Sequence, residues 1–190
     1  MKKLLRRIGA SVLLVGLLMS LTETVLAPPA NAVVTGMLAM WVHGTAVQVE
    51  YPERTDLIFR RAFHTRIEGQ VSTSNWFHFP VPTPVVGTYV VNAGGLHTAF
   101  RRYRLDKVFV NFRTGSVDAR VTNVHVYDGS KKIASFDNLN LYGEQSMCEF
   151  TLPGSPEVFQ GICVTVGVTF GSNLRWIELQ SVGADFFLQE

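Results

Sequence analysis

The sequence predicts an all-β protein, an antiparallel two-sheet β-sandwich of the jelly-roll kind, and two observations carry that prediction. Beyond residue 32 apolar residues alternate with polar ones at period two, and no segment holds them at i, i+3, i+4 and i+7 over three helical turns. Turn signals rich in Gly, Pro, Asn and Asp recur at a spacing that gives about eight or nine strands, which suits two packed sheets better than a closed barrel.

At the start of the chain, Lys2, Lys3, Arg6 and Arg7 precede an apolar run from Ile8 to Leu21, and "APPANA" supplies an A-x-A site at Ala30 and Ala32. The run is shorter than the ~20 residues of a membrane-spanning helix. Residues 1–32 therefore read as a cleavable signal peptide and 33–190 as a single β-sandwich domain, secreted or periplasmic, with no membrane span after cleavage. Cleavage also moves the charge: 17 Lys+Arg and 15 Asp+Glu become 13 and 14, so the net changes from +2 to −1. No nucleic-acid partner is expected from that balance.

"TAVQVEYP" sets Val47, Val49 and Tyr51 on one strand face, with Gln48 and Glu50 on the other. "ERTDLIFRRAFHTRIEG" reads two ways, as a short helix capped by Thr55 or Asp56 or as a strand. In "SNWFHFPVPTPVV" Phe77 and Phe79 share a core face, which leaves Trp76 and His78 together on the opposite face. Either a loop folds over that face and buries the indole in a secondary core, or the pair forms a sugar-binding surface, the indole stacking on a pyranose and the imidazole supplying a directional hydrogen bond. Pro80, Pro82 and Pro84 exclude a central strand and predict an extended edge or crossover, leading into a flexible "VVNAGGLHTAF".

"AFRRYRLDK" gathers Arg101, Arg102 and Arg104 around Tyr103. It reads as a solvated loop with arginine stems packed on aromatics, or as a patch for an anionic ligand such as an acidic polysaccharide or envelope phosphate. "KVFVNFRTG" then turns Val108, Val110 and Phe112 inward. In "SVDARVTNVHVYDG" the inward set passes from Val117, Ala119 and Val121 to Val124 and Val126, a one-residue slip at Thr122 and Asn123 that predicts a β-bulge. Asp128 and Gly129 mark a tight turn into "KIASFDNL". "GICVTVGVTF" is the strongest strand, and "RWIELQSVGADFFL" the last, with a bend expected at Gly183.

Cys148 and Cys163 flank "EFTLPGSPEVFQGI", which reads as a hairpin that would set them opposite each other. Alternation objects, because Cys148 shares the parity of the core residues Phe150 and Leu152 and Cys163 that of Thr165. A disulfide here, worth about 3 kcal/mol in the chain-entropy model, would need a bulge or irregular loop.

The five histidines, at 43, 64, 78, 97 and 125, show no metal-ligand spacing, and neither nucleophile elbow nor phosphate loop is present. No metal site, no cofactor and no catalytic residue is assigned. His125 and Asp128 lie three apart, which points them to opposite faces of a strand. "MWVHGTAVQVEYPE", "SNWFHFPVPTPV" and "SVGADFFL" resemble an exported bacterial β-sandwich family known only as a domain of unknown function. The resemblance spans residues 37–188, implies one domain, and brings no catalytic residues. Three functions stay open: a non-catalytic binding module for a polysaccharide or cell-envelope component, using Trp76, His78 and the arginine segment; a self-associating envelope protein; and a hydrolase with a dispersed site. Oligomeric state is not set by the sequence.

Overall fold

The computed structural model describes residues 36–92 and 95–188, with side chains for all of these except 85–101. The expected leader lies outside the described residues. Two antiparallel sheets face each other across one core. The larger has seven strands: β1 (Met37–His43), β3 (Thr55–Arg61), β4 (His64–Gly69), β6 (Val85–Asn92), β7 (Gly95–Thr114), β10 (Glu144–Thr151) and β12 (Trp176–Leu188). β7 and β12 are its central pair. On its other side β12 pairs first with β4, beyond which lies β3, and further along its length with β1, while β7 is flanked by β10 and β6. The smaller sheet runs β2 (Gln48–Val49), β5 (Thr73–Val81), β11 (Ile162–Phe170), β8 (Ala119–Asp128), β9 (Lys131–Phe136).

Twelve strands among the described residues exceed the number expected, because the longest apolar patterns conceal pairings with two neighbours in turn. The core forms where the two inward sets meet. Phe77, Phe79, Val164, Val166, Val168 and Phe170 from the smaller sheet bury against Val108, Val110, Phe112, Leu179, Val182 and Phe186 from the larger. These are the alternate residues of each strand, as a half-buried pleat requires, with one slip in β12 between Leu179 and Val182.

Several expectations resolve one way. The segment after Pro52 is a β3–β4 hairpin, and only Pro52–Arg54 forms a short 3-10 turn ahead of it. The slip in β8 is a bulge: Asn123 pairs with Gly167 and Val121 with Val168, leaving Thr122 as the extra residue. Gly129, at φ +56°, opens the two-residue turn between β8 and β9, a conformation a side chain would strain. Pro80 stands in β5 beyond the reach of β2, at the sheet's edge, where a missing N–H leaves no bond unmade.

Other expectations are corrected. "AFRRYRLDK" is part of β7, not a loop, and the described residues of "VVNAGGLHTAF" belong to the β6–β7 arm, with Val85 opposite Arg102 and Asn92 opposite Gly95. The irregularities of β12 fall between Leu179 and Ser181 and at Asp185–Phe186 rather than at Gly183. The cysteines are free thiols. β10 and β11 do not form a hairpin: their connection crosses from one sheet to the other, sinking Leu152 and Val158 into the core, so Cys148 and Cys163 belong to different sheets. Burial pushes both thiols up from their ordinary range.

Candidate functional site

The smaller sheet turns its second face outward, and there the polar halves of the alternating patterns meet. Cross-strand register sets Trp76 opposite Gly167 and Gly167 opposite Asn123, and in the next row His78 opposite Thr165 and Thr165 opposite His125. A third row joins Pro80, Cys163 and Tyr127. Gly167 decides the shape of this surface. A Cβ there would come 2.8 Å from Cζ3 and 3.0 Å from Cη2 of Trp76, so only glycine lets the indole lie across β11. The ring then reaches His125, at 4.9 Å between centroids and tilted by 38°.

Around the indole stands a cleft of about 460 Å³, lined by Glu50, Trp76, His78, His125, Tyr127, Gly129, Cys163 and Thr165. On one wall His78 Nε2 lies 3.1 Å from Glu50 Oε2, while His78 Nδ1 lies 3.1 Å from Thr165 Oγ1. A neutral imidazole protonated on Nε2 donates to the carboxylate and accepts from the hydroxyl. Glu50 is placed by a buried amide: Asn75 Oδ1 accepts from Tyr51 N and Trp76 N, and its Nδ2 donates to Tyr51 O. Glu50 N donates to Trp76 O as well, which clips the segment after β2 onto β5. The carboxylate also holds the Tyr51 phenol above its usual range through a side-chain hydrogen bond.

On the opposite wall His125 Nε2 meets Asp137 Oδ1 at 2.7 Å, and Asn123 Nδ2 donates to the same oxygen at 2.6 Å. These two contacts, His125 first, lower the Asp137 pKa below the ordinary aspartate range. The cleft thus presents one flat indole between two imidazole–carboxylate pairs.

Trp76 and His78 are brought together here. The arginine segment is not: it runs in the other sheet. Tyr103 is 7% exposed and packs edge-on against Phe186 in the core. Arg102 covers the Phe159 ring at 3.7 Å and lies 4.0 Å from Glu157, whereas Arg104 Nε donates to Ser155 O. The Arg101 side chain lies outside the described residues. Asp128 has a structural task, accepting from the backbone N–H groups of Phe159 and Gln160, and His125 takes Asp137 in its place. Among the described residues no three His, Cys, Asp or Glu side chains are grouped to hold a metal ion.

Sequence reasoning missed Glu50, His125, Tyr127, Asp137 and Thr165. The signal for His125 and Tyr127 was present, since both oppose the inward Val124 and Val126 once the bulge is counted. That β5 and β8 flank β11 was not written in any one segment.

The fold and site define a two-sheet β-sandwich protein with an aromatic cleft on the outer face of its smaller sheet. The chain belongs to the Family of unknown function (DUF6623), whose model matches residues 36–187. No curated protein sequence matches it. Among solved structures it is similar to the low-affinity xylan-binding module CBM86 from Roseburia intestinalis, at 13% identity and a TM-score of 0.42, covering 80% of this chain and 96% of that one. It is also similar to a cyclase from Fischerella sp. TAU, at 11% identity and a TM-score of 0.46 over 82% and 100% of the two chains. A family 29 carbohydrate-binding module from Piromyces equi is similar at 10% identity and a TM-score of 0.36, over 77% and 90%.

Proposed function

We propose that this is an exported, non-catalytic carbohydrate-binding module, and that its ligand is a neutral polysaccharide or envelope glycan held in the Trp76 cleft. The observation that carries the reading is the indole lying over Gly167 with an imidazole–carboxylate pair on either side. A pyranose has an apolar C–H face and a rim of hydroxyls that both donate and accept. A flat aromatic takes the first, and carboxylate, imidazole and phenol groups around it take the second. The cleft's size is within the range of small-ligand sites.

Glu50, His78 and Thr165 are linked in the order of a catalytic triad, yet Thr165 is only 4% exposed. A nucleophile must reach its substrate. This arrangement positions groups and does not favour attack.

The test is retention on insoluble polysaccharides and a glycan array, with Trp76→Ala beside the unaltered protein and circular dichroism as the control for folding. Retention that is lost in the folded variant supports the reading. Absence of any retained glycan across plant, fungal and bacterial polymers contradicts it.

A further inference from the structure

We propose that the outer edge of β3 is a self-complementary pairing edge, which takes the same strand of a second copy of this chain in antiparallel register about Ile58. β3 is terminal in the seven-stranded sheet, with β4 on one side and no described strand on the other. An edge of this kind offers a row of backbone N–H and C=O groups to any strand that fits.

What fits is set by the side chains of "TDLIFRR". A twofold axis through Ile58 places Leu57 opposite Phe59 of the second copy, Asp56 opposite Arg60 and Thr55 opposite Arg61, each pair occurring twice. Residues directly opposite in an antiparallel pair share a face, so apolar meets apolar and acid meets base. Moving the axis by one residue destroys the match. Centred on Phe59, Ile58 and Leu57 would face Arg60 and Arg61; centred on Leu57, Asp56 would face Ile58.

The surface groups are in place for this contact. Leu57 and Phe59 are 47% and 44% exposed, and Phe63 in the adjoining turn is 62% exposed. Asp56 is the extra residue where the β3–β4 ladder slips, so the strand is regular from Leu57 to Arg61 and the Asp56 carboxylate approaches the facing Arg60 from the bulge. Its Oδ2 takes Arg175 Nη2 at 2.6 Å, but the side chain stays 41% exposed and a carboxylate accepts from more than one cation. Arg60 touches the chain's own Val47 O through Nη2 at 3.4 Å, which leaves most of its guanidinium donors for a facing carboxylate. A twofold interface requires one patch to match itself, and this strand does so over the regular stretch Leu57–Phe59, with Asp56 and Arg60 at its two ends.

The test is sedimentation equilibrium of the purified full chain, with no glycan added so that the result is independent of the cleft. The expected result is a dimer that Asp56→Arg and Arg60→Asp each weaken by roughly tenfold or more, since each turns two attractive pairs into repulsive ones. Mixing these two variants restores a dimer containing one of each, because Arg then faces Asp at both ends, and the double swap restores a homodimer. Leu57→Lys with Phe59→Lys, at exposed positions that leave folding intact, gives a monomer. A wild-type monomer at every concentration overturns the proposal. So does a dimer indifferent to the single swaps, a mixture that stays monomeric, or a dimer that survives the two lysines.

Discussion

The outer faces of the two sheets carry the same kinds of residue in opposite arrangements. On the larger sheet Glu178 is 5% exposed: Arg113 Nε and Nη2 donate to its Oε2 at 2.9 and 2.8 Å, and Arg66 lies at 3.9 Å. The Arg66 guanidinium in turn covers the Trp176 ring at 4.1 Å. Trp41 on that sheet lies over Gly183 and stacks on Phe109 at 5.7 Å. There the Glu178 carboxylate is taken up by guanidinium groups, with the His64 imidazole 3.6 Å away, and the indoles are covered by Arg66 or stacked on Phe109. On the smaller sheet Trp76 lies over Gly167 in the same manner, but its carboxylates are bound to imidazoles and remain at the surface, Glu50 with 36% of its side chain exposed. A tryptophan laid on a glycine is a way of covering a bare strand. It becomes a recognition surface only where polar neighbours keep hydrogen-bonding capacity for something else.

The largest expected effect tests that contrast directly. Glu178→Ala removes a nearly buried carboxylate from two arginines that are themselves 36% and 48% exposed, so water takes up part of the loss and the cost is about 2 kcal/mol, read from the denaturant midpoint. Glu50→Ala, at a pair whose side chains are 36% and 28% exposed, changes stability by less than about 1 kcal/mol while weakening ligand retention. Equal losses of stability would erase the distinction between the faces.

Next in size, Trp76→Ala weakens glycan binding roughly 30-fold, the usual cost of truncating a central aromatic anchor. Trp41→Ala leaves binding unchanged in the same calorimetric titration. If the two variants behave alike, exposure of an indole rather than its surroundings sets binding. Gly167→Val pushes the indole off β11 and reduces affinity about tenfold, because small misplacements of a stacking surface forfeit contacts. Gly183→Val costs about 1–3 kcal/mol of stability by overpacking against Trp41, without touching affinity.

The smallest effect is a pH dependence. Asp137 has a lowered folded-state pKa, caused first by the His125 hydrogen bond. Its stabilising contribution is therefore complete above the unfolded aspartate value of about 3.9 and is lost as pH falls through the lower folded value. Asp137→Asn removes that part of the acid-side slope, and His125→Phe returns the carboxyl pKa toward normal in an NMR titration. An unchanged Asp137 titration in His125→Phe would show that the pair is not coupled.

Much of the core could be read from single strands, because alternation reports which residues turn inward whatever the neighbours are. Phe77, Phe79, Val164, Val166 and the bulge at Thr122 are all of this kind. The site was half legible for a related reason. Trp76 and His78 share a face on one strand, but Glu50, His125 and Asp137 join them only through the order β2–β5–β11–β8–β9, which no local pattern encodes. Parity already argued against the disulfide; the Pro153–Pro156 segment suggested a hairpin because turn residues mark a chain reversal without saying to which sheet it returns. Two thiols per chain should accordingly be titrated after unfolding, with no reductant added.

Ligand binding in the Trp76 cleft is tested by NMR chemical-shift mapping of the isotopically labelled protein with the polysaccharide fragment that is retained best. Saturable shifts are expected at the Trp76 indole N–H and at His78, His125 and Tyr127, with Trp41 and Arg102 unmoved. Shifts centred on Trp41 or on the Arg102–Phe159 pair, with the Trp76 cleft silent, would contradict it.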